Sequence, residues 1–290
     1  MPLIDAHVHL YPAEVDRDPA AWAAARHEPH WALLCTRRRR DGRPVQTLPT
    51  VSGLLAAMDA AGVHRAVLLG WYWENPETCA WQNRFYAETV RAFPERLSAF
   101  ATVHPAIGVE AAREEMRRAQ GEGLIGLGEL SPHSQGYSVE DPAFQSVLEL
   151  AAELKWPVNL HVTDPASRPF PGRVATPAAD FLWLARRHPQ TTFILAHWGG
   201  LLPLTEPAFG GLANVYYDTA ASPLLYPPDV WTRAIPVLGP DRVLFGSDYP
   251  LNLYPRLDDS PGLIRLVHEA RTASVPDSVM GGNAARLLRL

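Results

Sequence analysis

Cysteine and lysine are almost missing from this chain. Cys35 and Cys79 are its two cysteines, far apart and not in a CxxC pair. That excludes a disulfide framework, argues against a thiolate zinc site, and suits a reducing compartment. Lys155 is the one lysine, so nearly every basic side chain is arginine. No apolar run approaches the ~18 residues a membrane-spanning helix needs. The opening MPLIDAHVHLYP puts polar groups where a signal peptide needs an apolar core. A soluble cytoplasmic protein with no membrane partner is therefore expected. The net charge is -5, which leaves no electrostatic footprint for nucleic acid. No GxGxxG or GxxxxGK(S/T) opens a helix, which removes support for a dinucleotide fold or a P-loop. The glycines of Gly121–Gly128 match neither spacing.

What is present reads as ordinary globular protein, 47% hydrophobic and 20% charged over 290 residues. Short apolar, β-branched runs alternate with longer amphipathic stretches. Strands are expected at Leu3–Leu10, Arg65–Trp71, Leu97–His104, Leu124–Leu130, Val158–Thr163, Thr192–Trp198, Val215–Thr219 and Val243–Asp248. Helices are expected at Val51–Ala61, Glu77–Phe93, Val109–Gln120, Pro142–Lys155, Pro177–His188, Val230–Leu238, Leu263–Ala273 and Val279–Leu290. In Pro142–Lys155 the apolar residues Phe144, Val147, Leu148, Ala151 and Leu154 recur at three- and four-residue steps. Asp141 before Pro142 is a helix N-cap followed by proline at the first helical position. Eight strands separated by helices point to a parallel, closed (β/α)8 TIM barrel in a single domain, 1–290. Residues 11–50 are an insertion after the first strand, far longer than the usual ~2–6 residue connection. Arg37–Arg40 followed by Asp41 and Gly42 reads as the solvated tip of a hairpin with Ala32–Cys35 as one arm. Asp164–Ala175, rich in proline and arginine, is a second insertion.

Polar residues sit at the carboxyl ends of these apolar strands, where barrel enzymes build their sites. His7 and His9 are two apart on the first strand and so share a face. Glu129 ends the fourth strand, His161 the fifth, His197 the sixth and Asp248 the eighth. Burying several imidazoles with two carboxylates is costly unless they pair or hold a metal. A metal cage is the economical explanation.

The strings AHVHL, ILAHWGG and VLFGSDYPL resemble the amidohydrolase superfamily of metal-dependent TIM barrels. They are closest in form to its amidohydrolase-related (amidohydrolase 2) branch, which also contains aminocarboxymuconate-semialdehyde decarboxylase. The resemblance runs from Ile4 to the closing NAARLL, Asn283–Leu288. It implies His7, His9, His161 and Asp248 as metal ligands, with Asp248 also accepting a proton from an activated water. It implies that His197 binds a second metal or steadies the substrate oxygen. Some relatives carry a carbamylated lysine on strand four; Glu129 stands there instead and could bridge two metals, as in TatD-like nucleases. Zn2+, one ion or two, is the first expectation, and Mn2+, Fe2+ or Co2+ suit the same donors.

The function expected first is hydrolysis of a small amide, ester or lactone. The alternative is non-oxidative decarboxylation of a small aromatic or unsaturated acid at the same site. A TatD-like phosphoesterase gains from Glu129 but lacks a basic stripe, and a catalytically dead binding barrel would have no reason to keep so many polar groups. Trp71, Trp73, Arg168, Arg173 and Tyr137 are candidate contacts to a small-molecule substrate, the arginines as a carboxylate clamp. Asp218 is read evenly as a satisfied buried acid or a catalytic one, and Asp5 as a hydrogen-bonding support. A homodimer is compatible with all of this.

Overall fold

The computed structural model describes residues 2–254, 256 and 262–290. All eight expected strands form: β1 (Ile4–Val8), β2 (Arg65–Leu68), β3 (Leu97–Ala99), β4 (Leu127–Leu130), β5 (Val158–Leu160), β6 (Phe193–Leu195), β7 (Val215–Asp218) and β8 (Val243–Leu244). They pair in parallel as two arcs, β1-β2-β3 and β4-β5-β6-β7-β8. Both seams are stitched. Ala101 bridges Leu127 in parallel, with Gly128 N donating to Ala101 O at 2.7 Å. Val8 bridges Tyr249, and Asp248 N donates to His7 O at 2.8 Å. The eight strands thus follow one another around a ring, as the alternating pattern predicts.

Parallel strands covered on both faces read as continuous apolar runs. Ala66, Val67 and Leu68 of β2 are all fully buried, and all of β4 is buried. Ile4, Ala6, Val67, Leu69, Phe100, Ile194 and Leu244 pack together with Ala284 and Leu288 of the last helix. The outer helices form where apolar spacing calls for them. Val51–Ala61 and Val230–Leu238 match their expected bounds. In Pro142–Leu154 the Asp141 carboxylate accepts from Ala143 N and Phe144 N, at 2.8 and 3.1 Å.

The strands are shorter than their apolar runs. β6 stops at Leu195 because His197 and Trp198 turn into the left-handed region, φ 57° and 59°. β8 stops at Leu244, ahead of Asp248 at φ 65°. Polar strand ends curl over the barrel mouth instead of extending the ladder.

The insertion differs from the hairpin expected. Ala32–Cys35 belongs to a helix, Pro29–Cys35, preceded by the helices Ala13–Arg17 and Pro19–Arg26. Proline at the start of Pro19–Arg26 and of Pro29–Cys35 favours helix over strand. Only the tip is hairpin-like: Arg38 bridges Pro44, and Arg39 N donates to Arg43 O at 2.7 Å. Tyr11, Trp22 and Trp31 of this segment pack with Trp73 at ring separations of 5.3–6.1 Å. The insertion is pinned to two rim loops. Glu28 accepts from Glu74 N and Asn75 N after β2, at 2.8 and 3.1 Å. Arg37 donates to Leu253 O at 2.6 Å, and Gln46 to Pro250 O at 2.6 Å, after β8. It therefore roofs the mouth. Among the described residues, no helix is long and apolar enough to cross a membrane.

Candidate metal centre

His7, His9, Glu129, His161, His197 and Asp248 converge at the mouth, though they span the chain from strand one to strand eight. His7 Nε2 and His9 Nε2 lie 3.2 Å apart. Each ring has its other nitrogen committed. His7 Nδ1 donates to Asp218 Oδ2 at 2.9 Å, and His9 Nδ1 donates to Leu69 O at 3.0 Å. In the neutral rings both Nε2 atoms are then lone pairs facing each other, which is repulsive unless a proton or a metal ion joins them. Two nitrogens about 2.1 Å from one ion, at roughly 90–110° to each other, stand about 3.0–3.4 Å apart. The observed pair fits that geometry. Glu129 Oε2 is 3.6 Å and Asp248 Oδ1 3.4 Å from His9 Nε2.

A second group shares Glu129. Its Oε1 lies 3.0 Å from His161 Nδ1 and 3.5 Å from His197 Nε2, and these two nitrogens are 3.1 Å apart. His197 Nδ1 donates to Ala220 O at 3.2 Å, which leaves Nε2 of the neutral ring as an acceptor. The two carboxylate oxygens of Glu129 thus face two sets of possible ligands, His7 with His9 and His161 with His197. His161, expected beside the strand-one pair, is grouped with His197 instead.

Asp218 organises this arrangement, a role the sequence left undecided. Its Oδ2 accepts from His7 and from Asn159 Nδ2, both at 2.9 Å. Its Oδ1 accepts from His197 N and Ala220 N, both at 3.0 Å. Asp5 plays the supporting part expected, accepting from His7 N at 3.1 Å and Ser247 N at 2.9 Å. Burial pushes its carboxyl up to about 6. Gly246 allows the close packing: a Cβ there would come 2.9 Å from His7 Cβ.

The electrostatics ask for positive charge. Burial alone would depress His9, but hydrogen bonds and charge from Asp248 and Glu129 push it up to about 10. Burial likewise opposes His197, yet Glu129 and Asp248 push it up to about 9. Burial wins at His161, which is lowered. Burial would raise Glu129, but the imidazoles of His161, His197 and His9 hold it well below the usual carboxylate range. Without an ion, protons must take its place.

The cluster floors a cavity with about 480 Å3 of empty space, its open mouth included. Apolar walls come from Trp71, Tyr72, Leu34, Phe170, Leu225 and Leu251. Trp71 meets His9 edge-on at 5.2 Å and stacks on Tyr72 at 4.4 Å. Tyr72, unremarked in the sequence between two tryptophans, is 5.2 Å from the His161 ring.

Other expected substrate contacts do not line this cavity. Trp73 is buried behind it, with its Nε1 donating to Gln82 at 2.6 Å. Tyr137 packs against His104 and Phe144 at 5.3 and 5.1 Å. The Arg168 guanidinium lies over the Tyr254 ring at 4.5 Å. Arg173 is spent bracing its own loop, donating to Asp164 O and Pro165 O at 3.1 Å. In each case packing or backbone hydrogen bonding has claimed the side chain. His104 caps a short 3-10 turn, accepting from Ala106 N at 3.1 Å.

Comparison with known proteins agrees with this picture. The family model described as Amidohydrolase matches residues 4–290. Among solved structures, a 5-carboxyvanillate decarboxylase from Sphingomonas paucimobilis is 22% identical, covers 100% of this chain and 99% of its own, and superposes with a TM-score of 0.72. A 2,6-dihydroxybenzoate decarboxylase from Rhizobium is 19% identical over 100% and 99% of the two chains, TM-score 0.67. A dihydroxybenzoic acid decarboxylase from Polaromonas sp. JS666, solved with manganese and 2-nitroresorcinol, is 20% identical over 100% and 97%, TM-score 0.65. These likenesses confirm the fold, and the full-length family match places the protein: it belongs to the amidohydrolase family and is an enzyme of that superfamily.

Proposed function

We propose that this chain catalyses the metal-dependent, non-oxidative decarboxylation of a small aromatic acid. The observation that carries the reading is the cavity lining: imidazoles and acids at the floor, aromatic and aliphatic walls, and no lysine or arginine among its described residues. A carboxylate entering such a cavity meets no lysine or arginine among the described residues, so a bound metal ion is the natural partner for it. The similar structures named for aromatic-acid decarboxylation, one of them solved with manganese, support this alternative over the hydrolysis expected first.

His7 and His9 through Nε2, Asp248, and Glu129 with His161 and His197 are the residues that would hold one divalent ion or two. Manganese and zinc both suit these nitrogen and oxygen donors. When bound, the ion supplies the positive charge that holds the substrate carboxylate and an adjacent ring hydroxyl. The rest falls to the protein. Asp218 and the Leu69 carbonyl keep both histidines in one tautomer. Trp71 and Tyr72 offer a flat apolar wall to the ring and exclude water. Asp248 takes the proton of the adjacent ring hydroxyl and passes it to the ring carbon that bears the carboxylate. The bond between that carbon and the carboxylate then breaks, its electron pair restores the aromatic ring, and carbon dioxide leaves. His197, with Nδ1 3.7 Å from Asp248 Oδ2, stands where it can assist that proton transfer.

The test is a panel of hydroxybenzoates offered to metal-loaded enzyme in deuterated water. Release of carbon dioxide with one deuterium at the vacated ring carbon is expected. Cleavage of esters, amides or lactones without carbon dioxide from any aromatic acid would return the function to hydrolysis.

A further inference from the structure

Among the described residues, three carboxylates line the cavity: Glu129, Asp248 and Asp164. The first two are accounted for by the metal-binding cluster. Asp164 is not. It lies on the loop after β5, three residues beyond His161, and is only 7% exposed. Its surroundings fix it in place. Gly200 packs so close that a Cβ there would stand 3.2 Å from Asp164 Cα. Asp164 O accepts from Ser167 Oγ at 2.7 Å and from Arg173 at 3.1 Å. The Asp164 carboxylate accepts from Ala166 N at 2.7 Å and faces the Tyr226 hydroxyl. No ion pair to it occurs among the described residues, because Arg173 engages its main chain only. Ala166 N and the Tyr226 hydroxyl are its protein donors, and a carboxylate can accept about four hydrogen bonds, so a nearly buried one lining a ligand cavity keeps acceptor capacity for a donor on the ligand.

We propose that Asp164 sets substrate specificity: it selects a monocarboxylic aromatic acid with a hydroxyl or amino donor on the edge facing the β5 loop, and it rejects a second carboxylate there. This rests on the decarboxylase reading and deepens it. The charge balance gives the reason. One divalent ion offsets Glu129 and Asp248, and the substrate's own carboxylate brings another negative charge. A further carboxylate beside Asp164 would meet like charge, with no arginine or lysine lining the cavity among the described residues. A ring hydroxyl or amine would instead donate to Asp164 and satisfy it.

Binding decides this without turnover. Salicylates carrying one additional group, hydroxyl or carboxylate, at each ring position in turn are titrated into manganese-loaded enzyme by calorimetry. At one ring position or more the hydroxyl compound should bind at least tenfold tighter than its carboxylate counterpart. Asp164→Asn should shrink that ratio severalfold, chiefly by admitting the dicarboxylate. Equal binding of the two at every position, or an unchanged ratio in folded Asp164→Asn, overturns the assignment. Should that variant not fold, the wild-type comparison alone decides. Discrimination in binding without any carbon dioxide release would sink the proposed reaction while leaving the role of Asp164 standing.

Discussion

Replacing Asp218 with asparagine should weaken metal binding without touching a metal ligand. The carboxylate receives four donors, two on each oxygen. An amide has one acceptor oxygen, so its NH2 must face two of those donors. The main-chain N–H groups of His197 and Ala220 cannot move their protons. The amide oxygen therefore turns to them, and the NH2 turns to His7 Nδ1 and Asn159. His7 can respond by moving its proton to Nε2, which removes the lone pair that faces His9 Nε2 at 3.2 Å. Supporting partners of metal-ligating histidines are typically worth about 10–100-fold in affinity, or ~1.4–2.7 kcal/mol. Chelator-competition titration of wild type and Asp218→Asn should show a rise in Kd of that size. Thermal unfolding of the metal-free variant should show a separate cost of about 1–3 kcal/mol from the unsatisfied buried donors. A folded Asp218→Asn with Kd within twofold of wild type would refute the tautomer account.

Other outcomes follow from the same geometry. Asp248→Asn and His161→Ala should each lower turnover by about a thousandfold or more while the chain stays folded by circular dichroism; unchanged turnover in either would remove that residue from the reaction. Metal affinity should rise with pH. His9 and His197, pushed up to about 10 and 9, carry protons at pH 7 that the ion must displace. Between pH 6 and 8, Kd should fall about tenfold per pH unit for each proton released, and a flat profile would contradict this. The stability of the metal-free chain runs the other way. Both groups have raised folded-state values, so their contribution is full below about 6.5, the unfolded value, and is lost as pH climbs towards 9–10. Melting of the apo chain should fall across that window; a Tm rising with pH would be inconsistent. Gly246→Ala places a methyl 2.9 Å from His7 Cβ and should cost ~1–3 kcal/mol, together with metal affinity. Wild-type stability and metal affinity in that variant would show that the contact yields freely.

The barrel was legible because parallel, doubly covered strands must be apolar throughout, and the apolar runs at Arg65–Trp71 and Thr192–Trp198 announce themselves. Their ends were not. Periodicity continues through Ala196, but His197 and Trp198 leave the ladder at positive φ, held by contacts such as Asp218 to His197 N that join distant parts of the chain. The cluster was readable because its members terminate strands. Asp218 also terminates a strand, yet nothing local distinguishes an acid that orients ligands from one merely satisfied. Ala32–Cys35 is short and apolar; Pro29 at the start of its helix is a local cue, and docking onto the loops after β2 and β8 adds to it. Loop arginines are the hardest case. Arg168 and Arg173 have the chemistry of a carboxylate clamp, but a nearby ring and nearby carbonyls compete for them and win.

The most direct measurement is diffraction from active, metal-replete crystals recorded on both sides of the metal's absorption edge. An anomalous peak between His7 Nε2 and His9 Nε2, in contact with Asp248, is the predicted result. A metal located elsewhere, with those two nitrogens bound to nothing, would contradict it.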